Sequence, residues 1–253
     1  MRCVFGFLAY GFLAGSICVM AQTARLVIDT TVNTSPVSPT LYGLMTEEIN
    51  FSYDGGLYGE MVRNRTFDAQ WPPFEHWVTV RQGNAQEKIV ADDTGPSEAL
   101  HKSLKLDIAQ SSPGNEAGLA NARYWGMAVR PSTIYRGSFY AKAERVGAAH
   151  ARLVSDETGA TLAEITVDVK DGDWQRYSFN LKTAADVKPS VKNHLEITFA
   201  HPGSVSFQLM SLFPPTFQDR PNGNRPDVME MLAAMHPKFV RLPGGELSGG
   251  GHC

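Results

Sequence analysis

The alternation of apolar and polar residues predicts a set of β-strands between residues 71 and 210. The alternating apolar positions are Leu104, Leu106 and Ile108; Tyr135, Gly137, Phe139 and Ala141; Ile165, Val167 and Val169; Tyr177, Phe179 and Leu181; Leu195, Ile197 and Phe199; and Val205, Phe207 and Leu209. Gly, Pro, Asp and Asn separate these runs, which is typical of antiparallel strands with one buried and one exposed face. About 140 residues suit one domain, so we predict a β-sandwich over 71–210.

The residues before this region have a different pattern. A short apolar run at 25–29 predicts a strand, and the segment 41–46 predicts a second, buried strand that ends before Glu47. Leu57 and Met61 lie at helical spacing after a Gly pair, so we predict a helix at 55–64.

The residues after the sandwich return to a helical pattern followed at once by a strand. Pro226 and Asp227 are typical of a helix start. The apolar positions of this helix are Val228, Met231, Leu232 and Met235. Phe239 and Val240 then begin a short apolar strand that leads to Arg241 and a Pro-Gly-Gly turn. An α/β barrel presents charged side chains in this way, at the C-terminal ends of its strands.

The predicted fold class is therefore mixed, with a β-sandwich inserted after the first strand and helix of an incomplete (β/α)₈ barrel. A barrel of this kind needs about 250 residues of its own, so only its beginning fits beside the sandwich. We predict four segments: a signal peptide at 1–21, an N-terminal strand with the first barrel strand and helix at 22–70, the sandwich at 71–210, and the continuation of the barrel at 211–253.

The N-terminus predicts export. Arg2 precedes an apolar run from Val4 to Met20, and Val19 and Ala21 suit signal peptidase cleavage, which makes the protein secreted or periplasmic. The alternative is a membrane anchor, but the Gly, Ser and Cys residues within the run make a weak membrane span. We therefore expect no stable membrane anchor.

Composition and charge argue against several classes of function. The 253 residues are 43% hydrophobic and 19% charged, which suits a globular protein. A net charge of -3 without a Lys/Arg cluster argues against nucleic-acid binding. The seven His show no paired ligand spacing, and of the three Cys only Cys253 lies after the signal. We therefore predict no metal, no cofactor and no internal disulfide.

Two collinear segments resemble a known enzyme family. They are LYGLMTEEINFSYDGGLYGEMVRNRTFD at 41–68 and SLFPPTFQDRPNGNRPDVMEMLAAMHPKFVRLPGG at 211–245. Both resemble α-L-arabinofuranosidases of glycoside hydrolase family 51. The segments SLKLDI, GMAVRPSTIYRGSFYAKA and WQRYSFNL between them resemble carbohydrate-binding modules of the family 4/9 type. This order of parts is similar to a secreted subgroup of the hydrolase family.

The resemblance implies a retaining hydrolase that releases terminal arabinofuranose from plant cell-wall arabinan and arabinoxylan. Such chemistry uses two carboxylates about 5–5.5 Å apart. In the family both are glutamates on later barrel strands, which we expect downstream of Cys253. We therefore assign no catalytic residue and expect this chain to be truncated and inactive alone. The sequence departs from the family at Glu246, where an asparagine is expected.

The resemblance also implies two substrate-binding residues. Glu47 matches a first-strand glutamate that accepts hydrogen bonds from arabinose hydroxyls, and Arg241 matches an arginine that fixes the sugar and the nucleophile. Without the resemblance, a structural ion pair at a strand end would be the alternative. Glu48 points the opposite way along an extended strand, so we expect it to be structural.

Aromatic residues of the sandwich leave a second function open. Flat rings bind the apolar faces of sugars, but they also fill sandwich cores. The candidates are Trp77, Tyr124, Trp125, Tyr140 and Trp174. We expect Trp174 to pack in the core, whereas Tyr124 and Trp125 fit either role. The alternative functions are thus a secreted, non-catalytic carbohydrate-binding sandwich and a purely structural sandwich. The amphipathic helix at 227–235 favours the enzyme, because a dedicated binding module has no use for part of a barrel.

Overall fold

The computed structural model describes residues 25–31, 35–49, 51–68, 74–121, 124 and 126–242. The chain divides into two compact units, Met1–Leu41 and Tyr42–Cys253. The predicted signal peptide at 1–21, Trp125 and the Pro-Gly-Gly turn at 243–245 lie outside the described residues.

The described residues of the first unit form turns. The Asp29 carboxylate accepts hydrogen bonds from the backbone N–H of Thr31 at 2.9 Å and from its hydroxyl at 2.6 Å. The strand predicted at 25–29 is wrong: none of these residues is in a strand, and Leu26 is 85% exposed. Apolar content alone misled the prediction, because a strand also needs a paired neighbour and this segment has none within the described residues.

The second unit consists mostly of strands. Its strands are β1 (Leu44–Met45), β2 (Trp77–Arg81), β3 (Gln86–Asp92), β4 (Ser103–Gln110), β5 (Ala117–Asn121), β6 (Ile134–Glu144), β7 (Ala149–Ser155), β8 (Thr161–Val167), β9 (Gly172–Lys182), β10 (Asn193–Phe199), β11 (Gly203–Phe213) and β12 (Val240–Arg241). One α-helix, α1 (Pro226–Ala234), precedes β12, and short helical turns occupy Tyr53–Leu57 and Phe217–Asp219.

Ten of these strands form two antiparallel sheets of five strands. The strand orders are β2-β5-β10-β7-β8 and β3-β4-β11-β6-β9. Both sheets contribute to a single hydrophobic core. The fully buried core residues include Leu104, Phe139 and Phe207 from one sheet and Leu119, Leu153 and Ile197 from the other. The predicted β-sandwich is therefore present, since two sheets share one buried layer.

The alternation identified most of the long strands. Along β6, the residues Tyr135, Gly137, Phe139 and Ala141 are buried while their neighbours are exposed or half-buried, as predicted. The sequence analysis missed β2, β3, β5 and β7. In β5 all five residues are buried, so this central strand has no polar face to reveal its period.

The helix predicted at 55–64 is wrong. A single turn at Tyr53–Leu57 is followed by irregular chain, and Gly55 adopts a φ of +79° that a helix does not allow. The backbone amides are used elsewhere: Gly59 N–H donates to Gly223 O at 3.0 Å, and Met61 N–H donates to Leu212 O at 2.9 Å. Long-range hydrogen bonds thus replace the helical ones that the spacing of apolar residues suggested.

The segments that flank the sandwich meet in a parallel strand pair. Leu44 lies opposite Val240 and Met45 opposite Arg241. The strand predicted at 41–46 is present as the two residues of β1, but it is not buried as predicted, since Met45 is 58% exposed. The helix predicted from Pro226 is confirmed. No residue of α1 is buried, and Met231 is 72% exposed.

Candidate functional site

Glu47 and Arg241 lie at the same edge of the parallel pair. Backbone hydrogen bonds join Leu44 N–H to Phe239 O at 3.0 Å and Thr46 N–H to Arg241 O at 3.2 Å. Because both strands run in the same direction, their C-terminal ends meet, and the structure brings the two predicted residues together there. Neither side chain forms an ion pair within the described residues, so both charged groups are open to other partners.

The carboxylates of the adjacent residues Glu47 and Glu48, in the loop after β1, differ in their hydrogen bonding. The Glu47 backbone carbonyl accepts hydrogen bonds from Ile49 N–H at 3.1 Å and from the Ser52 hydroxyl at 2.5 Å. The Glu47 carboxylate has no hydrogen-bond partner among the described residues. The Glu48 carboxylate instead accepts a hydrogen bond from Tyr53 N–H at 2.8 Å. Glu48 therefore holds the loop closed, which is the structural role that we expected for it.

A second concave site lies on the sandwich side of the same unit. It is a cavity of about 390 Å³, which we call the junction cleft, and three parts of the chain line it. Residues 55–61 precede the sandwich, residues 214–227 follow it, and Tyr124 with residues 126–135 and Val191 belong to the sandwich region. Its volume is within the usual range of about 300–1,000 Å³ for small-ligand sites.

Tyr124 forms one aromatic wall of the junction cleft. Its ring packs edge-on against Phe51 at 5.7 Å between centroids, and the Arg63 guanidinium lies 4.4 Å from the Phe51 ring and 5.4 Å from the Tyr124 ring. Burial raises the pKa of Tyr124 to about 12, so its hydroxyl stays protonated at neutral pH. Gly55 makes this packing possible, because a Cβ there would lie 2.6 Å from Tyr124 Cγ.

Glu60 is a buried carboxylate in the wall of the cleft. Its Oε1 atom accepts hydrogen bonds from the backbone N–H groups of Met61 at 3.0 Å, Val62 at 2.9 Å and Leu212 at 2.9 Å. Arg65 Nη1 lies 3.5 Å from Oε2. Burial raises the pKa of Glu60, although these hydrogen bonds favour the charged form. The bond to Leu212 fixes the segment before the sandwich to β11.

Arg225 and Asp227 also line the cleft, and two hydrogen bonds join their side chains. Arg225 Nε lies 3.1 Å from Asp227 Oδ1, and Nη2 lies 2.6 Å from Oδ2. The backbone N–H of Arg225 donates to Leu57 O at 2.9 Å, which fixes the position of the pair. The hydrogen bond from Arg225 lowers the pKa of Asp227, so its carboxylate is charged at neutral pH.

The aromatic residues that the sequence singled out have different positions. Trp77 is buried in the core, where its Nε1–H donates to Asn64 O at 3.0 Å. Trp174 is only half-buried on the edge strand β9 and is not a core residue, so the expectation of core packing is wrong. An edge strand has a neighbour on one side only, which leaves a ring less well covered. Tyr140 is half-buried on β6, and Tyr124 lines the cleft.

The outer face of the other sheet carries a polar network around Glu116. Its carboxylate contacts His150 Nδ1 at 2.7 Å, Arg152 Nη1 at 2.7 Å and the Thr198 hydroxyl at 2.5 Å. Burial opposes ionisation of Glu116, but the hydrogen bonds from Arg152 and Thr198 outweigh it and lower the pKa to about 2. These groups satisfy one another, so we interpret the network as structural.

Two further observations concern other kinds of site. Among the described residues, no group of three or more His, Cys, Asp or Glu side chains could hold a metal ion. No helix in the part of the chain that the structure describes has the length and apolar character to cross a membrane.

Comparison with known proteins gives the following similarities. No family model matches the chain. A probable α-L-arabinofuranosidase A from Aspergillus terreus is 35% identical over 213 residues, which cover 82% of this chain and 33% of that protein. The α-L-arabinofuranosidase A of Aspergillus kawachii is 34% identical over 212 residues, with the same coverage. An extracellular exo-α-L-arabinofuranosidase from Streptomyces chartreusis is 29% identical over 229 residues, covering 87% of this chain and 26% of that protein.

A solved structure is also similar. The arabinose-bound MgGH51 α-L-arabinofuranosidase matches with a TM-score of 0.72 and 33% identity, over 81% of this chain and 34% of that chain. The chain thus spans about a third of the length of the relatives it matches.

Proposed function

Because this chain is homologous to part of the α-L-arabinofuranosidases of glycoside hydrolase family 51, we propose that it serves the release of terminal arabinofuranose from plant cell-wall arabinan and arabinoxylan. The observation that carries the proposal is the parallel pair of β1 and β12, since it brings Glu47 and Arg241 to one edge. A carboxylate acceptor and a guanidinium donor at one edge suit a ring that carries several hydroxyls.

The order of elements supports the beginning of an α/β barrel. β1 and β12 are parallel, and the chain between them contains the sandwich and then α1. This order is that of a βαβ unit with the sandwich inserted before its helix. Apolar side chains on and just after these elements are exposed: Met231 is 72% accessible, Val240 54% and Leu242, which follows β12, 65%. We propose that further strands and helices of a (β/α)₈ barrel cover them. The segments are then 22–70, 71–210 and 211–253 after the signal at 1–21.

In this proposal the catalytic residues and the sugar-binding residues lie on different strands of the barrel. A retaining glycosidase needs an acid/base and a nucleophile about 5–5.5 Å apart, and we propose that both lie on other barrel strands. In this scheme Glu47 accepts hydrogen bonds from the sugar hydroxyls. Arg241 donates to the sugar and keeps a neighbouring carboxylate ionised. The 253-residue chain alone then does not hydrolyse arabinofuranosides.

Secretion is the proposed location. The apolar run after Arg2 supports it, and so does the name of the extracellular Streptomyces relative. A secreted, non-catalytic carbohydrate-binding sandwich is the second candidate. The single core shared by both sheets favours it, because such a sandwich can fold without a barrel.

A chimaera tests the enzymatic proposal. The matching stretch of one fungal relative is replaced by this chain, so that the relative supplies the rest of the barrel. We expect the purified chimaera to hydrolyse 4-nitrophenyl α-L-arabinofuranoside, whereas the 253-residue chain alone does not. A folded chimaera without activity would contradict the enzymatic proposal and leave the carbohydrate-binding sandwich as the function.

A further inference from the structure

We propose that the junction cleft binds a short neutral pentose oligosaccharide. Neither Glu47 nor Arg241 lines this cleft, so it is a second site for sugar and not part of the edge formed by β1 and β12. The inference rests on the proposed function only for the choice of pentoses over other sugars. The nature of the cleft itself follows from its lining.

The walls of the cleft are held in place by the fold. Its walls come from before, within and after the sandwich, and specific hydrogen bonds hold the outer walls in place. Glu60 Oε1 accepts from Leu212 N–H at 2.9 Å, and Arg225 N–H donates to Leu57 O at 2.9 Å. A cavity whose walls are already fixed suits a ligand, because little conformational entropy is lost when the ligand binds.

Two aromatic side chains are part of the lining of the cleft. Tyr58 and Tyr124 both line it, and each ring is held by a neighbour: Tyr58 by Phe213 at 5.4 Å and Tyr124 by Phe51 at 5.7 Å between centroids. Fixed aromatic rings bind the C–H faces of sugars at low entropic cost. The Tyr135 hydroxyl is already used, since it accepts from Arg130 N–H at 2.8 Å and donates to Ala128 O at 3.1 Å.

The polar groups of the lining suit neighbouring hydroxyls. The Arg225–Asp227 pair presents donors and acceptors side by side, which is the arrangement that vicinal hydroxyls require because each can donate and accept. The guanidinium of Arg130, an exposed residue, has no hydrogen-bond or ion-pair partner among the described residues and supplies further donors. Asp227 offsets Arg225, and Glu60 is already paired with Arg65, so Arg130 is the lining charge without a close partner among the described residues. The preference for a neutral ligand therefore rests on the two tyrosine rings, which bind the C–H faces of sugars.

Titration calorimetry on the 253-residue chain tests the site. Arabinotriose and xylotriose are the neutral probes, and a trisaccharide of galacturonic acid is the anionic one. We expect at least one neutral probe to bind, with an affinity that changes little with salt because no net charge is neutralised. Arg130→Ala and Asp227→Asn should each weaken binding about tenfold, since each removes a hydrogen bond that involves a charged group.

The matched control is Arg145→Ala, which removes an arginine whose side chain is 76% exposed and which does not line the cleft. It should leave binding unchanged, and thermal unfolding should be the same for Arg130→Ala and Arg145→Ala. Binding that neither Arg130→Ala nor Asp227→Asn weakens, binding of the acidic probe alone, or no binding of any probe would overturn the proposal. This measurement needs no hydrolysis, so its failure is distinct from failure of the chimaera.

Discussion

Met45 and Arg241 lie opposite each other in parallel strands, and the whole two-sheet sandwich separates them in sequence. Parallel neighbours require a crossover connection, and here the crossover contains ten strands before α1 returns the chain to β12. The sandwich therefore does not interrupt the pairing of the flanking strands. This relationship is the structural basis for placing Glu47 and Arg241 at one edge.

The pairing of β1 with β12 should depend on Gly43. A Cβ at this position would clash with the ring of Phe239 on the neighbouring chain segment, so Gly43→Val should displace that ring and loosen the strand pairing beside it. We expect faster hydrogen exchange at the Leu44 and Thr46 amides, which bond to Phe239 O and Arg241 O. Met45→Val is the control, because Met45 is 58% exposed on the same strand. Equal exchange in both variants would refute this dependence.

The sequence predicted those elements whose pattern is local. The strand at 134–144 was identifiable because its inward and outward residues alternate. β5 was missed, since its small residues are buried on both faces. Leu57 and Met61 imitated a helix, but the amides of Gly59 and Met61 bond to distant carbonyl groups. Such long-range bonds leave no local signal.

Of the two candidate sites, the sequence revealed only the one that lies on continuous segments. Glu47 and Arg241 were identified through a resemblance on short, continuous segments. The junction cleft was not, apart from Tyr124, because Tyr58, Arg130 and Arg225 come together only in the fold. No spacing in the sequence relates residues that belong to three separate parts of the chain.

Glu116 should stabilise the sandwich strongly. Glu116→Gln leaves the charge of Arg152, whose side chain is only 12% exposed, without its main partner, and should lower the free energy of unfolding by about 3 kcal/mol. Glu164→Gln is the control, because that side chain is 45% exposed and should cost less than about 1 kcal/mol. Denaturant unfolding at neutral pH measures both. Equal costs would show that burial of the pair has no special effect.

The same carboxylate gives a stability change in acid. Its pKa is lowered from 4.5 to about 2, so its contribution is complete above pH 4.5 and is lost as the pH falls toward 2. We expect the stability difference between the protein and Glu116→Gln to shrink over this range. A difference that stays constant would argue against the ion pair as its cause.

His194 should stabilise the protein at low pH and lose this effect as the pH rises, which is the reverse of Glu116. Its Nε2 lies 2.9 Å from Glu196 and its Nδ1 lies 2.6 Å from Asp156, and the hydrogen bond with Glu196 leads the effects that raise its pKa above 6.5. A raised pKa means that the stabilisation is complete below pH 6.5 and is lost as the pH rises through the folded-state value. Thermal unfolding at about pH 5 and about pH 8 should show this loss, and His194→Gln should remove it. An unchanged pH dependence in His194→Gln would assign the effect to other groups.

The most direct test of the account compares two adjacent glutamates in the active chimaera. Glu47→Gln should lower kcat/KM for the aryl arabinofuranoside by about 10- to 100-fold, because it weakens a charged acceptor of sugar hydroxyls. Glu48→Gln should leave kcat/KM within about twofold, since its remaining carbonyl oxygen can still accept the hydrogen bond from Tyr53 N–H. A large loss for Glu47→Gln alone is the result that the account predicts. Equal effects of the two substitutions would contradict the placement of the sugar at the edge shared by Glu47 and Arg241.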